Sequence, residues 1–301
     1  FNIPPKLDPV KKDTQKDPTI NIDGKTALLG DKVYYRVNID ASRLTDTAYK
    51  VWRLGMTDDY DQEYLTLDAK HVEILDETGR DRTGEFNIQD KDGVLYAYAK
   101  LVDTEIPATG ETVPGDPQPD DLKAYSEKSD KDYDPLKDPS IDQSLLGHTY
   151  QVVMPMTVTK VKDGHTVENT ATQVTNDKRD KTNTVSNPLK PINPKKDVTV
   201  KVGGDSVDGK SVYLNHTFLS SILPADRAYQ KVANWRITDQ LDPAYDKATG
   251  QWAVYAARDL YRGGEAIAKK GERIAGSGFD SSRLGGDMFA ANIDPSTGLV
   301  D

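Results

Sequence analysis

Asn193-Pro194-Lys195-Lys196-Asp197-Val198-Thr199-Val200-Lys201-Val202, followed by Asp208-Gly209-Lys210, decides how the chain is read, because its signature occurs twice. The first copy is Pro9-Val10-Lys11-Lys12-Asp13 and then Asp23-Gly24-Lys25, so the Lys-Lys-Asp elements lie 184 positions apart and the Asp-Gly-Lys elements 185. A third correspondence sets Trp52-Arg53-Leu54-Gly55-Met56-Thr57-Asp58-Asp59-Tyr60-Asp61 against Trp235-Arg236-Ile237-Thr238-Asp239-Gln240-Leu241-Asp242. Internal repetition governs architecture, and here it predicts two tandem modules. The expected boundaries are 1–187 for the first and 188–301 for the second.

The length of 301 residues agrees with two domains. Hydrophobic residues make up 36% and mean hydropathy is -0.68, so each module can bury a core beneath a polar skin. A formal charge of -10 and a pI near 5.0 make nucleic acid and anionic membranes poor partners. The absence of cysteine removes disulfides, thiol nucleophiles and thiolate metal sites together. No apolar run approaches the ~20 residues of a membrane helix. The opening Phe1-Asn2-Ile3-Pro4-Pro5 has no leader character, and the sequence reads as a piece of a longer chain.

Short strand-like runs dominate. Asp31 to Ile39, Gly93 to Val102 and Tyr150 to Thr159 are rich in β formers, and Asp23-Gly24, Thr78-Gly79, Asp92-Gly93 and Asp163-Gly164 mark turns between such runs. The fold class expected is all-β: two tandem variant immunoglobulin-like β-sandwich modules with long loops and short helices. In the second module, Ser211 to Leu223 and Gln251 to Leu260 read as strands, and Ser281 to Asn292 as helical with Leu284, Met288 and Ala291 on one face. Residues 176–194, with Asn187-Pro188, Lys190-Pro191 and Asn193-Pro194, read as a stiff linker.

Residues 103–143 break the strand pattern with prolines and an acidic series that includes Asp116, Asp120, Asp121, Asp130, Asp132, Asp134, Asp138 and Asp142. A solvated loop is the plain reading. A calcium loop is the functional one, with Asp130, Asp132 and Asp134 as candidate ligands, since hard cations take clustered carboxylates. The spacing matches no EF-hand. No other cofactor is expected.

Parity carries the chemistry, because residues of one parity share a strand face. Lys196 has the parity of Val198, Val200 and Val202, and Asp239 that of Trp235, Ile237 and Leu241. In the first module Asp58 falls with Trp52, Leu54, Met56 and Tyr60, and Lys12 with Val10. Both modules thus aim a lysine and an aspartate inward. A buried ion pair is one reading, although such a pair gains little over apolar packing. The alternative is a self-made crosslink. Desolvation lowers the pKa of a lysine and raises that of a carboxyl, so neutral amine and protonated acid can coexist, and the amine can then attack a carboxamide polarised by the acid. Asn169, sharing parity with Val167 and Ala171, is the expected carboxamide; Asn183 and Asn187 are the fallbacks.

The order Lys-Lys-Asp-Val, Asp-Gly-Lys, Thr-Asp-x-x-Asp, Asn-Thr-Ala and Thr-Asn-Thr-Val-x-Asn resembles the C-terminal stalk modules of the antigen I/II family, cell-wall adhesins of streptococci; aggregation-substance adhesins of enterococci are similar. The resemblance covers the first module almost completely and the second for roughly its first 105 residues. It implies one Lys-Asn isopeptide bond per module with an aspartate catalyst, falling here on Lys12, Asp58 and Asn169, and on Lys196 with Asp239. It implies an extracellular, cell-wall-anchored setting, a part in adhesion and virulence, and a host glycoprotein or another bacterial surface protein as partner of the intact adhesin. A monomer is expected. No inward Asn-x-Ala strand follows Asp239, so the second module is expected to be incomplete, and no asparagine is assigned to Lys196.

Three functions of different class follow. A mechanical stalk fits the repeats and the inward Lys/Asp/Asn sets. A calcium-dependent binding module rests on the acidic excursion alone. A hydrolase would use Asp58 with Asp61 and Asp239 with Asp242, but His71, His148, His165 and His216 form no triad or metal spacing, so no enzyme acting on an external substrate is expected.

Overall fold

Lys32 to Asp40 alternates as a half-buried strand should, turning Val33, Tyr35, Val37 and Ile39 into a core, and it lies at the heart of the first of two facing sheets. The computed structural model describes residues 6–47, 49–115, 121–200, 209, 212–219 and 235–301. Val202, Asp208 and Lys210 of the repeated signature, Ser211, and Asp116 and Asp120 of the excursion lie outside them. Two units divide between Ile192 and Asn193. Leu189, two residues past the expected boundary at 187, is buried in the first unit and bridges Ala27.

The first unit contains, in chain order, β1 (Lys11–Thr14), β2 (Lys32–Asp40), β3 (Leu54–Asp59), β4 (Leu65–Leu67), β5 (Glu73–Asp76), β6 (Phe86–Lys91) and β7 (Val94–Ala99). Then come the short β8 (Leu101–Val102), β9 (Thr104–Glu105), β10 (Thr112–Val113), α1 (Leu122–Glu127) and β11 (Ser140–Ile141). The last group is β12 (Thr149–Val158), β13 (Thr166–Asn169), β14 (Ala171–Thr175), β15 (Lys178–Lys181) and β16 (Val185–Pro188). One sheet runs β1-β2-β12, with β4 and β5 both on the far side of β12; the other runs β15-β14-β3-β7-β6. Pro155 has no N–H to give, and it falls where the far-side partner of β12 changes from β5 to β4. Tyr35, Val37, Val152 and Met154 from one sheet join Leu54, Met56, Leu95 and Val174 from the other in a single apolar cluster. The unit is an immunoglobulin-like β-sandwich with long loops.

The described residues of the excursion from Asp121 onward are docked onto this sandwich. Asp121 caps α1 by accepting from the amides of Lys123 and Ala124. The buried Arg53 guanidinium donates to the carbonyls of Asn176 and Tyr125 and, at 2.7 Å, to that of Lys128. Trp52 stacks on Tyr133 at 4.9 Å between centroids. A run that reads as solvated in sequence is therefore anchored by one arginine and one tryptophan.

The second unit is also all-β. Its strands are β17 (Lys195–Val200), β18 (Leu214–Leu219), β19 (Asp239–Gln240), β20 (Ala253–Tyr255), β21 (Leu260–Arg262), β22 (Glu265–Ala268), β23 (Arg273–Gly276) and β24 (Leu299–Val300). Among the described residues they pair as β17-β18, β19-β24, β20-β23 and β21-β22. The helix expected at Ser281 to Asn292 is instead one 3-10 turn, Ser282–Leu284. Gly285 and Gly286 follow at φ of 81° and 118°, which ends the helical path, while Leu284 and Met288 still pack on the small apolar cluster around Ile274.

Gly55 leaves no room for a side chain on β3. A Cβ there would lie 2.2 Å from the Ala97 carbonyl oxygen on the paired strand β7. Gly55→Ala should lower stability by about 1–3 kcal/mol, read as a drop in denaturant midpoint at constant m; an unchanged midpoint would mean that β3 and β7 are not so closely apposed.

Candidate functional site

The entry strand carries a buried lysine. Leu7, Pro9, Lys11 and Asp13 are buried while Val10 stands 39% exposed, so the inward parity is the odd one. Lys12, expected at the site, points to solvent opposite Arg36; Lys11, 1% exposed, takes its place. Val10 is the wrong anchor for the parity and Leu7 the right one. That is the signal in the sequence that identifies Lys11.

Asp58 comes from the opposite sheet. It sits at the inward end of β3, fully buried, and the Lys11 Nζ bonds to its Oδ2. Ala171 on β14 is directly across from Asp58, and Asn169, two residues earlier at the end of β13, is buried with the same parity. The Asn169 amide lies against Asp58, yet neither its Oδ1 nor its Nδ2 completes a hydrogen bond of ordinary geometry. Desolvation pushes the Asp58 carboxyl up, outweighing the opposing pull of the lysine, and it pulls the Lys11 amine down against the attraction of Asp58. Both shifts favour neutral amine beside protonated acid. The buried Asn169 carboxamide completes the set.

The fallback asparagines have other tasks. Asn183 accepts from the Lys11 amide at 2.9 Å and donates to the Lys11 carbonyl at 2.9 Å. Asn187 donates to the carbonyls of Ile22 and Lys25 at 3.0 and 3.1 Å, closing the loop that precedes β2. Two further site residues escape a reading for crosslink partners. The Tyr35 ring lies 4.7 Å beneath the Lys11 Nζ. Asp13, on the same inward face as Lys11, is fully buried against Asn187, and burial pushes its carboxyl up to about 7.

In the second unit Lys196 does meet Asp239, with 2.8 Å from Nζ to each carboxylate oxygen and the Phe218 ring 5.6 Å away. The expected apolar face is not buried, however. Lys195 to Val200 are all exposed, and the Lys196 side chain keeps 42% of its surface in solvent. The same two residue types are here a solvated bidentate ion pair.

The remaining carboxylates are separately engaged. Asp130 accepts from the Trp52 indole at 2.9 Å, Asp132 from the Ser129 amide at 2.8 Å, and Asp134 pairs with Lys137 at 2.9 Å. Among the described residues no three His, Asp or Glu side chains converge as a metal site. Of the hydrolase candidates, Asp58 is sealed from solvent, Asp61 bonds the His165 ring at 3.1 Å, and Asp242 caps its own turn through the Ala244 amide.

Residues 9–189 match the family described as cell surface antigen I/II C2 terminal domain, and residues 193–301 the family described as cell surface antigen C-terminus. The aggregation substance of Enterococcus faecalis is 31% identical over 239 residues, which is 76% of this chain; the chain spans only 15% of that relative's length. The solved C-terminal domain of the Streptococcus pyogenes antigen I/II-family protein AspA is 17% identical with a TM-score of 0.63, covering 98% of this chain and 83% of that one. The Streptococcus agalactiae AgI/II polypeptide BspA C terminal domain is 15% identical with a TM-score of 0.58, covering 97% and 82%. At these identities the two structures share the fold.

Asp13 makes stability depend on pH. Its folded carboxyl holds a proton up to about 7, whereas the unfolded chain releases it near 3.8. The folded state therefore binds the extra proton between those values, and this contribution weakens as pH rises through that window. Compared with Asp13→Asn, both in an Asn169→Ala chain so that covalent linkage cannot differ, the Asp13 protein should lose up to about 4 kcal/mol of relative stability from pH 4 to pH 7. Parallel denaturation curves across that range would remove Asp13 from the buried cluster.

Proposed function

The chain belongs to the antigen I/II family of cell surface antigens, and from that premise we propose that it is a stalk segment of a Gram-positive cell-wall adhesin whose first unit is locked by an isopeptide bond between Lys11 and Asn169. The observation that carries this reading is the burial of Lys11 on Asp58 beside a carboxamide with no hydrogen bond of ordinary geometry.

The step balances without any cofactor. A proton passes from the Lys11 ammonium to the Asp58 carboxylate, leaving a free amine and a carboxylic acid, as desolvation favours. Asp58 hydrogen-bonds the Asn169 Oδ1, and the Lys11 Nζ attacks Cγ. Asp58 then carries a proton from the attacking nitrogen to the departing amide nitrogen. The old C–N bond breaks, ammonia leaves, and Asp58 ends protonated. The reaction occurs once per chain, on the chain itself.

The placement suits a load-bearing part. Lys11 lies near the start of the first unit and Asn169 near its end, so a bond between them carries tension directly and shields residues 12–168 from it. It also removes conformational freedom from the unfolded chain, worth on the order of 5 kcal/mol for a loop of this size in the chain-entropy picture. An adhesive partner, host glycoprotein or bacterial surface protein, is met elsewhere in the intact adhesin.

The intact chain should weigh one ammonia less than its sequence. Lys11→Ala, Asp58→Ala and Asn169→Ala should each restore the full mass, whereas Lys12→Ala should still lose ammonia. Under single-molecule pulling, Lys11→Ala should release roughly 500 Å of extra chain that the wild type withholds, at about 3.4 Å per enclosed residue. Full sequence mass in the wild type, or release of that length from it, would overturn the crosslink.

A further inference from the structure

β1 is a four-residue edge strand, and on the outer side of Lys11 its backbone pairs with a side chain rather than a strand. The Asn183 amide supplies both halves of that pairing, accepting from Lys11 N–H and donating to Lys11 C=O, each at 2.9 Å and across 172 positions of sequence. The segment bearing Asn183 is fastened in turn to the strand bearing Asn169. Thr182 exchanges bonds with Ala171, its Oγ1 accepting from the Ala171 amide at 3.0 Å and its own amide donating to the Ala171 carbonyl at 2.9 Å. The hydroxyls of Thr184 and Thr170 meet at 2.6 Å, and Val185 stands opposite Asn169 in the β13-β16 pair.

These contacts form a short bridge from the backbone of the amine to the backbone of the carboxamide. Ala171 is also the residue directly across from Asp58. We propose that Asn183 is a positioning residue for the crosslink: by gripping both backbone polar groups of Lys11 from a segment tied to Thr170 and Ala171, it sets the separation of the attacking nitrogen and the Asn169 carboxamide. The inference rests on the Lys11–Asn169 bond proposed above. Asn183 touches neither reacting atom, so its effect is on rate. Reactions that depend on preset geometry lose up to a hundredfold when a group is misplaced by about an ångström. Loss of the Asn183 side chain also leaves the Lys11 N–H and C=O without these two hydrogen bonds, so the folded fraction is read separately from the rate.

The test follows bond formation in the full chain after a short pulse of cell-free synthesis. Samples are quenched in acid over time, and the fraction lacking one ammonia is read by intact mass. Asn183→Ala should slow the loss on the order of tenfold or more relative to wild type. Asn183→Gln, which keeps donor and acceptor on a longer arm, should recover part of the rate; Asn183→Asp, which keeps only an acceptor, should not. Circular dichroism of Asn183→Ala in an Asn169→Ala chain should show the sandwich folded at the assay temperature. A wild-type chain that links while Asn183→Ala links at the same rate overturns the positioning role, and so does slowing matched by an equal loss of folded protein. A wild-type chain that never loses ammonia overturns the underlying bond and this inference with it.

Discussion

A lysine ammonium and an aspartate carboxylate taken wholly out of water are costly to hold as ions, and the first unit is built around such a pair. Lys11 and Asp58 reach each other from opposite sheets with no surface exposed at either side chain. Continuum reasoning says that two apolar residues would serve stability as well or better. What apolar residues cannot supply is a neutral amine held beside an acid and an amide. The burial that makes the pair poor as a salt bridge is what the proposed crosslink requires, provided that the sandwich holds its two faces in register.

The second unit shows how far environment decides. Lys196 and Asp239 are the same residue types joined by two 2.8 Å contacts, but β17 is exposed along its length and the lysine is solvated. An exposed pair of this kind contributes at most about 1 kcal/mol. Residue identity is repeated between the units; desolvation is not.

Much of this was open to inspection in the amino-acid order. Leu54 and Met56 share the parity of Asp58 on a strand long enough for alternation to hold, and Val167 and Ala171 turn Asn169 inward in the same way. Parity misleads at Lys12 because β1 has four residues and its nearest apolar neighbour, Val10, faces solvent; with so short a strand, one misplaced anchor reverses every assignment. Along Lys195 to Val200 the alternating valines suggest a covered face that the described residues do not provide. Asp13 and Asn183 were illegible for a different reason. Their roles lie in contacts with residues 174 and 172 positions away, Asn187 and Lys11, and no local pattern announces a side chain that completes another strand's backbone pairing.

The central claim concerns one covalent bond, so the most direct measurement is of the bond itself. Tryptic digestion of the purified chain followed by tandem mass spectrometry should yield a branched peptide in which the Lys11 side chain is joined to the Asn169 side chain, with one ammonia missing from the sum of the two linear peptides. Recovery of both segments only as separate, unmodified linear peptides would contradict the account.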